Sequence, residues 1–239
     1  MLDRTSPIPL HLQLEEIIQD KLDSDTFPPG SRFPSESELC SKYGISRMTA
    51  RNVVSRFVQE GVLKRIPGKG TFVSEPKIEA GPLSYEGIRA QLERQGYEVV
   101  TKLLGVEIGE GKNFYHHKLL VPADEKIYCI KRLRFVKGQP FSIHESFVPV
   151  SLAPGLEKLN LIDEQLCVIL NNNYDFLRAK VYEELESIAA NREEADLLNL
   201  KVGHHLLLLK DTIVDKSGTP FEYAKIIFRG DRIKLRLEF

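Results

Sequence analysis

The sequence predicts an α+β protein of two domains: a small helical one at the N-terminus and a larger one built on a mostly antiparallel sheet. Three observations carry this. Over the first sixty or so residues apolar side chains recur at three- and four-residue steps, whereas from residue 97 onward they come in Val-, Ile-, Leu-, Tyr- and Phe-rich runs punctuated by Gly and Pro. The 239 residues, 42% hydrophobic and 28% charged, hold enough apolar material for one large core or two small ones. The net charge of −1 also hides an asymmetry: between residues 40 and 73, Lys42, Arg47, Arg51, Arg56, Lys64, Arg65 and Lys69 oppose only Glu60, a net +6 on an otherwise acidic chain. Clustered cations of this kind displace the counterions condensed on a polyanion, which points to nucleic acid.

In chain order, Leu10, Leu14, Ile17, Ile18 and Leu22 form the stripe of an amphipathic helix over residues 9–24. Pro28, Pro29 and Gly30 forbid its continuation. Ser35-Glu-Ser-Glu38 is a capping box that opens a second helix of about two turns, and Gly44 is suited to the left-handed residue that ends it. Ser46 caps a third helix, which Gly61 ends. On that helix Ala50, Val53, Val54 and Phe57 share one arc of about 100°, while Arg47, Arg51 and Ser55 line a neighbouring polar stripe. Residues 62–66 and 71–73 flank a Pro-Gly-Lys-Gly turn and predict a hairpin. Helix, helix, tight turn, helix and basic hairpin is the order of a winged helix-turn-helix over residues 1–73, whose third helix is offered to the major groove of double-stranded DNA.

Residues 74–82 lack an apolar period and contain two prolines and a glycine, so they read as a linker. The second domain, 83–239, opens with a helical stretch to about Gln95. Strand-like runs follow over 97–108, 126–137, 140–148, 178–190, 204–215 and 220–238, with further helices expected from Asp163 to Asn172 and from Arg192 to Leu198. Arg132 and Arg134 alternate on one presumed strand, so both point to the same face and suit an anion such as phosphate.

Several classes are excluded. No run approaches the roughly 18 apolar residues of a membrane helix, and Met1-Leu-Asp-Arg-Thr-Ser-Pro7 lacks the apolar core of a signal peptide, so a cytoplasmic protein with no membrane partner is expected. Cys40, Cys129 and Cys167 are too scattered for a disulfide framework or a Cys-x-x-Cys site. His116-His117 and His204-His205, read as neighbours on strands, point to opposite faces and cannot share a metal. No nucleophile-elbow, zincin or phosphate-loop motif occurs, and no metal, cofactor or catalytic residue is expected.

Three motifs bring a family into view. Residues 28–39 (Pro-x-Gly-Ser-x-x-Pro-Ser-Glu-x-Glu-Leu), 43–51 (Tyr-Gly-Ile-Ser-Arg-Met-Thr-Ala-Arg) and 68–73 (Gly-x-Gly-Thr-Phe-Val) resemble the GntR family of bacterial transcription regulators. Arg47 and Arg51 are then the expected base and phosphate contacts, with Ser46 and Thr49 beside them as phosphate partners. Lys69, between Gly68 and Gly70, is free of neighbouring side-chain bulk and can approach the DNA backbone. The resemblance adds Arg32 and Ser35 as phosphate contacts, although Ser35 is equally accounted for by capping. Ser37 stands where many members carry Arg.

A second resemblance covers the rest of the chain. Leu83-Ser-Tyr85, Arg132-x-Arg134 before Gly138-x-Pro140, Glu145 before Phe147-Val-Pro149, Glu194-Ala195, Gly218-x-Pro-x-Glu-Tyr223 and Arg229-Gly-Asp231 are similar to the UTRA effector domain. This domain marks the HutC-type branch of the family and has a chorismate lyase-like fold. The resemblance implies effector contacts at Ser84, Tyr85, Arg132, Arg134, Glu145 and Glu222; alternatively the two arginines and two glutamates form structural salt bridges. Gln165-Leu-Cys167 replaces a Ser-x-Tyr of sugar-phosphate-binding members, and Phe228 replaces a Tyr, which removes hydroxyl partners. The expected function is a homodimeric regulator, in this family usually a repressor, on a palindromic operator. A small metabolite, with a phosphosugar favoured, would control its operator affinity. The competing expectation is a chorismate lyase-like enzyme or metabolite carrier with a protein-docking N-terminal module.

Overall fold

A computed structural model describes residues 2–24, 26–81 and 83–236, with the backbone alone at 83–86. The chain divides between Lys77 and Ile78 into two compact units.

In the first unit three helices, α1 (Leu10–Asp23), α2 (Glu36–Tyr43) and α3 (Arg47–Gln59), share a core with a three-stranded sheet ordered β1-β3-β2, where β1 is Arg32–Phe33, β2 Leu63–Ile66 and β3 Gly70–Val73. The helix boundaries follow from capping. Ser35 Oγ accepts from the Glu38 N–H at 3.2 Å while Glu38 Oε2 accepts from the Ser35 N–H at 2.6 Å, which satisfies two otherwise orphaned donors at the start of α2. Gly44, at φ 65°, ends α2 with its N–H on the Cys40 carbonyl. Ser46 Oγ accepts from the Thr49 N–H at 3.1 Å and starts α3. Leu14 and Ile18 of α1 meet Ala50, Val53, Val54 and Phe57 of α3 in the core, so the apolar arc read from the sequence is the buried one. The strand β1 lies outside the sequence reading because two residues carry no periodicity; it exists by pairing Arg32 with Phe72 and Phe33 with Thr71.

The second unit is built on a six-stranded antiparallel sheet ordered β5-β6-β7-β10-β9-β8. Its strands are β5 (Val99–Gly109), β6 (Ile127–Val136), β7 (Gln139–Pro149), β8 (Lys180–Ala189), β9 (His205–Val214) and β10 (Pro220–Arg229). Between them come α4 (Leu83–Arg94), α5 (Asn113–Leu119), α6 (Leu166–Tyr174) and α7 (Arg192–Leu198). One sheet face packs two separate apolar clusters: Ile88 and Leu92 of α4 against Phe141 and Phe228, and Leu166, Ile169 and Leu170 of α6 against Tyr128, Ile130 and Val148. The opposite face packs α7 through Ala195 and Leu198, and α5 through Leu119.

The structure corrects four expectations. The stretch 74–82 is not linker throughout: Ile78–Ala80 forms β4, parallel to β11 (Ile233–Leu235), with Ile78 and Ala80 buried. Its partner strand lies at the far end of the chain, which local composition cannot reveal. The run 220–238 is two strands, broken at Gly230, where a Cβ would stand 2.9 Å from the His205 carbonyl oxygen. His116 and His117 lie on helix α5 rather than on a strand. The helix expected from Asp163 begins at Leu166, after the turn in which Asn160 holds Asp163.

Candidate nucleic-acid and effector sites

The first candidate surface is the outward side of α3 and the hairpin β2–β3. Ser46, Arg47, Met48, Arg51 and Asn52 are exposed, Met48 at 65%. Met48 and Asn52 escaped the sequence reading, although the 3.6-residue period that places Arg47 and Arg51 outward places them there too. Arg51 Nε stands 3.4 Å from Glu36 Oε2 and Arg65 Nη2 3.1 Å from Glu36 Oε1, so one carboxylate in the first turn of α2 holds the recognition face and the hairpin at once. Exposed pairs of this kind contribute about 0–1 kcal/mol, little enough for phosphates to displace. Arg56 is committed elsewhere, to Glu15 and Glu60. Lys69 is exposed at the hairpin tip between Gly68 (φ 74°) and Gly70 (φ 115°). The exposed Arg32 lies against the same hairpin, its Nε 3.7 Å from where a Gly70 Cβ would be. Ser46 and Thr49 hydroxyls are 2.9 Å apart, and Ser35 and Ser46 both cap helices, so these three hydroxyls have structural duties whatever else they contact.

The second candidate site lies between the two apolar clusters on the α4/α6 face of the sheet. Arg132 and Arg134 of β6 point into this gap with His144 and Ser146 of β7, Asp211 of β9 and Glu222 of β10, around a cavity of about 70 Å³ bordered by Gly87, Gln165, Cys167 and Arg178. All six sheet side chains are buried. Arg132 Nη2 donates to Ser146 Oγ at 3.3 Å, yet Nε of both Arg132 and Arg134 has no acceptor among the described residues. Burial pulls the Arg134 guanidinium down to about 9, helped by the fields of Arg132 and Arg89. Burial lowers Arg132 as well, and Glu222 opposes this through its charge without a hydrogen bond. His144 Nε2 and Ser142 Oγ are 2.8 Å apart; burial and then the two arginines hold the imidazole well below its ordinary value, hence neutral near pH 7. Two buried cations whose Nε groups lack acceptors are costly, and an incoming anion lowers that cost.

Of the sequence-expected effector residues, Arg132, Arg134 and Glu222 share this cavity and Glu145 does not. Glu145 pairs across the β6–β7 ladder with Lys131, on the other face. The reason is one bulge. The Lys137-Gly138 turn, with both φ positive, starts the hairpin with Val136 opposite Gln139 and Phe135 opposite Pro140. Phe141 is then extra, so Arg134 faces Ser142 and every later β7 residue changes sides. Glu145 accepts from Lys225 Nζ at 2.9 Å and lies 3.4 Å from Lys131. Burial alone would raise its carboxyl; the two lysines outweigh this and lower it. The cleft of about 600 Å³ on that face is larger, but Lys131, Glu145, Glu193 and Lys225 there neutralise one another. The side chains of Ser84 and Tyr85 lie outside the described residues.

His144, Ser146 and Asp211 were legible only as polar residues at alternate positions of apolar strands, a pattern that marks a face but not its purpose. Other motifs prove structural: Glu194 closes a capping box with Asn191, Arg229 grips Asp231 at 2.7 Å, and Phe228 is a fully buried core residue against Phe141. No helix among the described residues is long and apolar enough to cross a membrane. None of their His, Cys, Asp and Glu side chains gather into a group that would hold a metal.

Comparison with known proteins agrees with this division. Residues 10–73 match the family model "Bacterial regulatory proteins, gntR family" and residues 94–234 match that of the UTRA domain. The HTH-type transcriptional repressor NagR of Bacillus subtilis is 33% identical over 232 residues, 97% of this chain and 95% of that protein. The probable fructoselysine utilization operon transcriptional repressor of Escherichia coli K12 is 26% identical over 236 residues, 99% of this chain and 97% of its own. The crystal structure of PhnF from Mycobacterium smegmatis shares the fold, with a TM-score of 0.68 at 19% identity over 97% of this chain and 99% of that one.

Proposed function

The chain belongs to the GntR family of bacterial transcription regulators, in the HutC-type branch that carries a UTRA domain, and from that premise we propose how its residues divide the work. It is a DNA-binding regulator whose operator affinity answers to a small molecule, and it is not an enzyme. In our reading it is a repressor, working in the cytoplasm as a homodimer on a palindromic operator. Each first unit sets α3 in the major groove, with Arg47 and Arg51 on base edges and phosphates and Met48 placed to meet a thymine methyl. Lys69, between Gly68 and Gly70, reaches the backbone at the minor groove, while Arg32, Ser35, Ser46 and Thr49 hold phosphates. Strand β8, a ten-residue sheet edge with Tyr182 and Leu185 exposed, supplies a surface for two-fold pairing.

The effector, favoured to be a phosphosugar, places its anion between Arg132 and Arg134 and its polar body toward Glu222. The observation that carries this is the pair of buried guanidinium groups whose Nε atoms lack acceptors. That one relative is named for fructoselysine utilization fits a sugar-derived ligand. The cavity is far below the ~300–1,000 Å³ of ordinary ligand sites, so binding displaces its cover, which includes Gly87 in the kink of α4 (φ 71°, ψ 160°). Because α4 follows β4, the first strand after the division between the units, its displacement is the step that reaches the DNA-reading unit, with a coupling of about 1–3 kcal/mol. The test is fluorescence anisotropy with Arg51→Ala, expected to cost about 1–3 kcal/mol of specific binding. Unchanged operator affinity would remove Arg51 from the interface.

A further inference from the structure

We propose that Arg4 is a further DNA contact, a phosphate ligand brought to the edge of the major groove by the segment that precedes α1. This rests on the reading of α3 as the groove element. Arg4 Nη2 donates to the Gly44 carbonyl at 2.7 Å, in the turn between α2 and α3. A Cβ on Gly44 would crowd that nitrogen at 3.3 Å. The backbone that carries Arg4 is tied down around it. Leu2 packs against the core of the unit. The Asp3 N–H donates to Gln13 Oε1 and the Asp3 carbonyl accepts from Gln13 Nε2, both at 2.9 Å; the same amide donates to the Ile8 carbonyl at 2.7 Å.

What distinguishes Arg4 from other arginines of the unit is its partner. Arg51 and Arg65 share the carboxylate of Glu36, and Arg56 is held by Glu15 and Glu60. The Arg4 guanidinium is held by a carbonyl, a neutral group at the C-terminus of α2 that attracts a cation without cancelling its charge. The carboxylate beside it in the chain, Asp3, is turned onto Thr5, accepting from its N–H at 2.8 Å and its hydroxyl at 2.6 Å. A guanidinium has five N–H donors and one carbonyl engages one of them, so an exposed Arg4 keeps its charge and most of its donors for an incoming phosphate. Its place suits one. Gly44 stands two residues before Ser46, the cap of α3, so their Cα atoms are at most about 7.6 Å apart. The major groove is about 12 Å wide, which sets a phosphate ridge about 6 Å to either side of a helix end at its centre. Because the side chain is already fastened there, little rotamer freedom is lost on binding.

The test is fluorescence anisotropy of the full chain on a labelled duplex from upstream of the gene and on a scrambled one, between about 50 and 200 mM salt. Wild type is compared with Arg4→Ala, Arg4→Gln, Arg4→Lys and, as a control, Arg51→Ala, each checked by urea denaturation. One phosphate contact adds about 0.9 to the slope of log affinity against log salt. The advantage of wild type over Arg4→Ala and Arg4→Gln should therefore shrink by about 3.5-fold per bound chain across that range, equally on both duplexes, while Arg4→Lys keeps the wild-type slope. A wild-type slope in both Arg4→Ala and Arg4→Gln, with or without lost stability, makes Arg4 a brace for the turn and overturns the proposal. If Arg51→Ala still weakens operator binding in that case, the groove reading stands and the proposal alone fails. If Arg51→Ala also leaves operator affinity unchanged, the groove reading falls and the proposal with it.

Discussion

Replacing Arg134 by methionine should make the unliganded protein more stable and deaf to anions. The guanidinium is buried, its Nε finds no acceptor, and burial pulls its pKa well below the ordinary arginine value, to about 9. That fall disfavours the charged group by about 5 kcal/mol, a strain the folded unit carries until an anion arrives. Methionine keeps an unbranched apolar stem without the charge. Buried ions replaced by apolar side chains of similar volume are neutral to stabilising by about 1–4 kcal/mol. A gain of about 2 kcal/mol should raise the melting midpoint of the second unit by about 4–8 °C. Calorimetric melts with and without phosphate read both halves of the prediction. Wild-type protein gains about 2.7 kcal/mol when phosphate stands at about 100 times its Kd, and the variant gains nothing. If Arg134→Met instead loses the ~3–5 kcal/mol typical of a broken buried ion pair, the arginine is a structural element and its charge is not left uncompensated in the unliganded protein.

Glu36→Gln frees Arg51 and Arg65 from their shared carboxylate and should tighten duplex binding, by up to about fivefold if the pairs contribute 0–1 kcal/mol; weaker binding in an anisotropy titration would mean that Glu36 positions Arg51 productively. Ser35→Ala opens the capping box and should lower the stability of the first unit by about 0.5–2 kcal/mol in urea denaturation. The carboxyl of Asp211 is raised to about 8 in the folded state, above the ordinary aspartate value of 3.8, so its proton contributes stability that is whole below about pH 4 and is lost as pH rises through about 8. Asp211→Asn should flatten that decline, seen as denaturation midpoints of the second unit that change less than the wild type's between about pH 5 and pH 8.

What could be read from the sequence was what is decided locally. The boundaries of α2 and α3 were written in Ser35, Glu38, Gly44 and Ser46, because caps act within four residues. The same-face placement of Arg132 and Arg134 needed only the alternation of a strand. What was hidden depended on partners far along the chain or on a single inserted residue. Ile78–Ala80 becomes a strand only beside Ile233–Leu235. α5 begins at Asn113 after Lys112, whose side chain makes no capping bond, so nothing local announced a helix around His116 and His117. The placement of Glu145 turned on the Phe141 bulge: without it, Glu145 would face Ile130 and share the side of Arg132. Asp211 was passed over because a lone aspartate in an apolar strand does not show whether it meets a partner.

The most direct test of the account is the operator affinity of wild-type protein and Arg134→Met, measured side by side by fluorescence anisotropy. The labelled duplex is taken from upstream of the gene and compared with a scrambled one, while a panel of sugar phosphates and amino-sugar phosphates is titrated in. Both proteins should prefer the operator, at least one compound should shift the wild-type affinity by about 5–150-fold, and the same compound should leave the variant unmoved. A variant that responds like the wild type would contradict the assignment of the effector to the buried arginines.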